Sequence, residues 1–334
     1  MSWSEELRDA VKTYDRLCFE LSSIACFKDY LSSLKPEVVN TFPIFIPLKI
    51  LNEIKKLGPN SSLSKQFLPQ NEEVDLLSGD YDPIGDLDGQ VAPQLIHRYK
   101  NRVLFLPTSK CPINCRYCFR KNEIHSKDSL FDRDYEKTLN YLQEHKEIDE
   151  IIFSGGDPLM LTDLTLERYL KDFSKISHIK FIRFHTRFPI SLPSRVDNQM
   201  LKKLKAITSQ KIVFMLHINH HEELNNENSE VIKLITSNFQ VFSQSVLLKN
   251  INDNADVLKK LYAQLALLGV VPYYLHHTDK VKGGKHFELS TKESSNIFSS
   301  LKGNSAGWLT PRLMIDNGFD EGKKFLTSKE YAQH

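Results

Sequence analysis

The sequence has no surplus of either charge. Its 44 lysines and arginines against 42 aspartates and glutamates leave a formal +2, too weak a field to argue for nucleic acid or an anionic membrane surface as partner. A small molecule is the expected ligand class. No apolar run reaches the length of a membrane span, and the opening stretch MSWSEELRDA is acidic and amphipathic, unlike a secretory signal. A cytoplasmic protein is expected. Internal repeats and low-complexity tracts are also lacking. Cysteine is scarce at five residues, an odd number. Three of them crowd together as Cys111, Cys115 and Cys118, which argues for a metal site over a disulfide framework.

What is present is length and order. With 334 residues the chain can form one large domain with an appendage, or two domains sharing a cleft. The first part reads as helices, with apolar residues at helical spacing through Leu7, Val11, Tyr14, Leu17 and Leu21 and again from Leu48 to Ile54. Between Glu72 and Asp88 stand seven acidic residues and no basic one, interleaved with Gly79, Pro83, Gly85 and Gly89. That composition predicts an extended, turn-rich linker. A boundary near residue 90 follows, with an N-terminal helical region and acidic linker over 1–90 and the remainder over 91–334.

Beyond Arg102, short apolar runs alternate with amphipathic stretches. Strands are expected at Val103–Leu106, Glu150–Ser154, Phe181–His185, Ile212–Leu216, Val241–Leu247 and Val271–Leu275. Helices are expected at Asp132–His145, Leu164–Phe173, Asn198–Ala206, Ser229–Thr236, Asn254–Leu268 and Lys292–Leu301. Six β/α units in a row predict a parallel sheet with right-handed crossovers. Six are two short of a complete barrel, so a partial (β/α)6 TIM-type barrel and an open doubly wound sheet both fit the pattern. In either, the chemistry belongs at the carboxyl ends of the strands.

The segment KCPINCRYCFRK after the first strand sets three thiols at Cys-x3-Cys-x2-Cys spacing. Three thiolates can hold three irons of a cubane and leave the fourth iron open to a ligand. A structural zinc usually draws on four ligands in two spaced pairs, and no second cysteine pair or His-x3-His follows at a suitable distance. Cys18 and Cys26 lie in apolar helical surroundings and read as ordinary packing residues.

This spacing, with Tyr117 just before the last cysteine and Ser154-Gly155-Gly156-Asp157-Pro158 one β/α unit later, resembles the radical S-adenosylmethionine superfamily. Further blocks, among them His97-Arg98-Tyr99, Phe119-Arg120, His217-Ile218-Asn219-His220, Gln244-Ser245-Val246-Leu247-Leu248 and Pro272-Tyr273-Tyr274-Leu275-His276, narrow it. Together they resemble the lysine 2,3-aminomutases, most closely the short form that supplies (R)-β-lysine for modification of elongation factor P. The resemblance implies the partial barrel, an isomerase activity on L-lysine, and three cofactors: a [4Fe-4S] cluster, S-adenosyl-L-methionine and pyridoxal 5′-phosphate. It also implies a reductant such as flavodoxin or ferredoxin.

Roles follow from the same resemblance. Cys111, Cys115 and Cys118 hold the cluster, and Gly155, Gly156, Asp157, His217 and Gln244 face S-adenosylmethionine. By register from Pro311, Lys323 carries pyridoxal phosphate in the C-terminal segment, with Lys324 directly beside it as the alternative. Arg98 and Arg102 match the phosphate contacts, where the planar guanidinium fork suits an oxyanion. Arg120 matches the partner of the substrate α-carboxylate, and Asp279 with Asp316 matches the pair that holds the distal ammonium of lysine. Two alternatives stand beside this reading: an aminomutase for glutamate or another amino acid, which the two aspartates disfavour, and a non-catalytic iron-sulfur protein, which would need neither Lys323 nor Arg120.

Overall fold

The computed structural model describes residues 2–74, 78–123, 129–131 and 134–326. Ten strands form one sheet whose order follows the chain: β1 (Gln90–Ala92), β2 (Leu95–Tyr99), β3 (Arg102–Phe105), β4 (Glu150–Phe153), β5 (Phe181–Thr186), β6 (Lys211–His217), β7 (Gln240–Val246), β8 (Val271–His276), β9 (Arg312–Asp316) and β10 (Lys323–Phe325). From β3 to β9 neighbours are parallel, while β1, β2 and β10 are antiparallel additions at the two edges. A doubly wound sheet would reverse its strand order at a switch point. None occurs, so the partial barrel is the architecture. β3 to β8 are the six expected strands; β9 is a seventh parallel strand, hidden in the short RLMID run after Pro311.

Register is pinned on the outer face of the barrel. Phe105, Phe153, Phe184 and Phe214 are direct partners across β3 to β6, and their ring centroids lie 5.3, 4.8 and 5.4 Å apart in turn. A slip of one residue would turn this ladder into the lumen, because side chains alternate strictly between faces. The crossover helices pack over it. Each begins at a residue whose side chain accepts a backbone N–H of the first turn: Asp134 before Tyr135–Glu144, Thr162 before Asp163–Ser174, Asp197 before Asn198–Ile207. Asn225, Asn254 and Ser290 do the same for Asn226–Thr236, Ala255–Leu267 and Thr291–Asn304. Asp132, where the first of these helices was expected to begin, lies outside the described residues. No helix among the described residues is long and apolar enough to cross a membrane.

The N-terminal helices build a second core over the cysteine loop. Val11, Leu17, Leu21, Ile46, Leu51 and Phe67 cluster there, joined by Ile113 from the loop itself. Helical periodicity is interrupted at Val11, which exchanges two backbone hydrogen bonds with Ile46 and splits the start into Trp3–Arg8 and Tyr14–Leu21. The acidic stretch is rich in turns, as its composition suggests, but it is packed against the barrel. Glu73 is fully buried, and Asp80 forms a bridge with Val281.

The sheet does not close on itself through its backbone. Its two ends meet through side chains: the Arg98 guanidinium on β2 donates to both Asp316 oxygens on β9 at 2.7 and 3.1 Å, and its Nε donates to the Phe319 carbonyl at 3.1 Å. The Tyr99 hydroxyl accepts the backbone N–H of Lys323 at 3.0 Å.

Glu73 is the strongest single test of this packing. Its carboxylate accepts from Arg116 at 2.7 and 2.8 Å and from Lys121 at 3.0 Å, all out of water. Burial opposes its charge, but the two cations outweigh it and hold the carboxyl below its usual range. Glu73→Gln leaves two buried cations short of a partner and should lower stability by roughly 3–5 kcal/mol in urea unfolding at neutral pH. The gap between variant and parent should narrow as pH falls below the ordinary carboxylate range, where the native carboxyl is protonated as well.

Candidate active site

The carboxyl ends of the strands open into a cavity of about 580 Å³. Alternate residues of each strand face it, including Glu150 and Ile152, Arg183 and His185, Met215 and His217, and Tyr274 and His276. Every residue singled out from the sequence lines this same space: Cys111, Cys115, Cys118, Arg98, Arg102, Arg120, Gly155, Gly156, Asp157, His217, Gln244, Asp279, Asp316 and Lys323. Lys324 points elsewhere. It is exposed and pairs with Glu321 at 2.9 Å.

The cysteine loop is anchored from the N-terminal core. Asn114 donates from its backbone to the Phe45 carbonyl and from its side chain to that of Pro43, both at 3.0 Å, and the Arg116 N–H donates to Gln66 at 2.9 Å. On the other side the glycine turn presses against the loop. Gly156 and Asp157 donate to the Thr108 and Lys110 carbonyls at 2.8 Å. A Cβ on Gly155, whose φ is +105°, would fall 2.5 Å from the Thr108 oxygen, and one on Gly156 2.2 Å from that of Lys110. These glycines let two backbones touch. The Asp157 carboxylate fixes the turn from below, accepting from Leu159, Thr186 and Arg187.

The donor set suits an iron-sulfur cluster. Burial pushes all three thiols up, Cys118 to about 12, so thiolates form here only with a compensating cation. Three thiols that line one cavity can hold three irons of a cubane and leave the fourth to another ligand.

Charges around the cavity are mostly paired. Arg98 is taken by Asp316, Arg183 by Glu150 at 2.8 Å, Arg187 by Glu223 at 2.5 Å, and the Arg120 Nε by Asp86 at 2.6 Å. Arg102, Asp279 and Lys323, all lining the cavity, have no ion-pair partner among the described residues. The Arg102 guanidinium has no carboxylate partner and lies 3.8 Å from the centre of the Tyr99 ring. The Asp279 carboxyl has no cation within salt-bridge reach, and burial together with Asp316 raises it to about 7. Lys323 faces Asp316 across the β9–β10 hairpin. Its accessible surface belongs to the cavity wall, and burial holds the ammonium below the usual lysine range against the pull of Asp316 and Asp279. A lysine so placed spends more time as the neutral amine that attacks a carbonyl, and an unclaimed guanidinium near it suits a phosphate. The residues present fit pyridoxal phosphate.

Asp86, Tyr99, Arg187 and Glu223 escaped the sequence reading. One signal for Asp86 and Glu73 was available: an acidic stretch without bases and a basic cysteine segment carrying Arg116, Arg120 and Lys121 are complementary.

A partial barrel with three cysteines after its first parallel strand and a glycine turn after the next defines the radical S-adenosylmethionine class. The profile of the Radical SAM superfamily matches residues 105–261. The chain is 35% identical to the L-lysine 2,3-aminomutase of Buchnera aphidicola subsp. Baizongia pistaciae over 97% of its own length and 95% of that protein. It is 35% identical to the Escherichia coli K12 enzyme of the same name over 96% and 93%, and 36% identical to that of Haemophilus influenzae over 81% of each. The chain belongs to the L-lysine 2,3-aminomutase family.

The glycine turn supplies a direct test. Gly156→Ala drives a methyl group into the Lys110 carbonyl, displacing the residue next to Cys111. Anaerobic reconstitution should leave it with less than half the iron and sulfide of the parent chain. Gly303→Ala, where a Cβ meets nothing within 4 Å, should bind the full amount.

Proposed function

We propose that the protein is a lysine 2,3-aminomutase, an isomerase that moves the amino group of L-α-lysine from C2 to C3 to give β-lysine. The observation that carries this reading is the cavity itself, which gathers three cysteines, a depressed lysine, an unclaimed guanidinium and an unclaimed carboxylate. When bound, the reduced cluster cleaves S-adenosylmethionine to furnish a 5′-deoxyadenosyl radical, and pyridoxal phosphate carries the migrating nitrogen.

In this reading the chain's own residues bind, orient and exclude water. Cys111, Cys115 and Cys118 hold three irons and leave the fourth open. Gly155, Gly156, Asp157, His217 and Gln244 border S-adenosylmethionine. Lys323 holds pyridoxal phosphate, Arg102 takes its phosphate, and Arg98 supports the same wall. Arg120 grips the substrate carboxylate: Asp86 occupies its Nε edge and Ser154 accepts from one terminal nitrogen at 3.3 Å, which leaves the other terminal nitrogen for the ligand. Asp279 receives the distal ammonium, with Asp316 behind it. An acidic side chain such as that of glutamate would be repelled there. The electron comes from a low-potential donor such as flavodoxin or ferredoxin. Near-complete overlap with the Buchnera and Escherichia coli relatives supports the short form, whose β-lysine modifies elongation factor P.

Anaerobic incubation of the reconstituted protein with lysine, S-adenosylmethionine and dithionite should yield β-lysine on amino-acid analysis. Borohydride reduction with pyridoxal phosphate should label Lys323 and spare Lys324. Rearrangement of glutamate in preference to lysine would sink the substrate assignment.

Acid should weaken lysine binding through Asp279. A carboxyl at about 7 loses its charge as pH falls through that value, while the lysine ammonium keeps its own. KM for lysine should therefore rise about tenfold for each pH unit below 7 and level off above 8. Asp279→Asn should raise KM above pH 7, flatten the profile, and converge with the parent in acid, where the parent's carboxyl is neutral as well.

A further inference from the structure

Arg187 follows the last residue of β5, and its guanidinium is buried behind the cysteine loop. One terminal nitrogen donates to the Tyr117 hydroxyl. The other donates to Gln66 Oε1 at 3.0 Å and to Glu223 Oε2 at 2.5 Å. Nε, equally buried, has no hydrogen-bond partner among the described residues. An orphaned buried N–H is unfavourable, and a guanidinium serving only as one half of an ion pair would have no reason to carry that cost.

The neighbours say what the orphan faces. The Cys115 thiol lies against both the Arg187 guanidinium and the Tyr117 hydroxyl, and Tyr117 stands between Cys115 and Cys118 in sequence. Behind Arg187 the Glu223 carboxylate is immobilised, with Oε1 accepting from Gln66 Nε2 at 3.1 Å and from the N–H groups of Asn219 and His220 at 2.9 Å. The pair is thus a fixed dipole, acid outward and guanidinium toward the second cysteine. Tyr117 extends it to the lumen, its hydroxyl lying 2.9 Å from His217 Nε2.

We propose that Arg187 tunes the iron-sulfur centre, donating its Nε–H to the sulfur environment of Cys115 and lending a fixed positive charge that favours the reduced state, with Glu223 as the opposing charge that limits the effect. The inference rests on the reading of Cys111, Cys115 and Cys118 as ligands of a [4Fe-4S] cluster. Three thiolates on a 2+ core give a net charge of −1, and one electron from an external donor makes it −2. A buried cation at contact range stabilises the second state more than the first. Arg187 is a positioning residue in this account, since it acts through a ligand and touches neither substrate.

The test is a potentiometric titration of anaerobically reconstituted protein, followed by the electron paramagnetic resonance of the reduced cluster. Iron and sulfide are counted first. At the potential where half of the parent clusters are reduced, Arg187→Gln should lower the ratio of reduced to oxidised cluster about tenfold, a negative shift of about 59 mV for one electron. Arg187→Lys should recover part of it. Glu223→Gln removes the opposing charge and should shift the potential the other way, a sign that a merely structural role does not produce. Arg187→Gln and Glu223→Gln titrating with the parent, or both moving in one direction, would overturn the proposal. If Arg187→Gln holds no cluster, the sign for Glu223→Gln decides alone. A parent chain without iron overturns the cluster reading first, and this inference with it.

Discussion

A carboxylate sealed from water between Arg116 and Lys121 is the interaction on which the site depends. Glu73 reaches the cysteine loop from a stretch that precedes the barrel, and without it two cations would sit in the protein interior uncompensated. The Arg116 side chain also donates to the Phe42 carbonyl at 3.1 Å, so the same guanidinium ties the N-terminal core to the loop. Lys121 does the equivalent on the other side, donating to the Gly283 carbonyl at 3.2 Å. The three-cysteine segment is therefore held between two parts of the chain by charge and hydrogen bonds.

The same economy governs the lumen. Most of its cations are already matched by acids, which fixes where each guanidinium points and leaves selected edges open. Arg120 is the clearest instance: Asp86 takes its Nε and the fork beyond remains for a ligand. Arg102 and Asp279 stand apart because neither has an ion-pair partner among the described residues. An open edge on Arg120 together with an unmatched carboxyl on Asp279 would favour a zwitterionic ligand carrying a further positive charge over a neutral one.

The sequence disclosed the parts governed by local rules. Strands β3 to β8 were legible because short β-branched and aromatic runs alternated with segments opened by Asp, Thr, Asn or Ser caps. The cysteine triplet and glycine turn were legible because their spacing is itself the signal. Three features were not. β9 is five residues long, and its RLMID run after Pro311 was not among the expected strands. The stretch from Glu72 to Asp88 read as a linker, since composition shows charge but not the partner it will meet across the fold. Arg187 and Glu223 come together from β5 and the segment after β6, and no local pattern announces a contact 36 residues apart.

The side-chain seam between β2 and the β9–β10 hairpin has its own consequence. A barrel laced shut by ladder hydrogen bonds opens only by unravelling its wall. Here the β9–β10 edge meets β2 through Arg98 on Asp316 and Phe319 and through Tyr99 on Lys323, so parting that seam costs side-chain contacts while β3 to β9 keep every backbone bond. Opening of that kind draws on local rather than global stability. The edge of the cavity beside Lys323 is thus buttoned rather than woven, in contrast to the wall from β3 to β9.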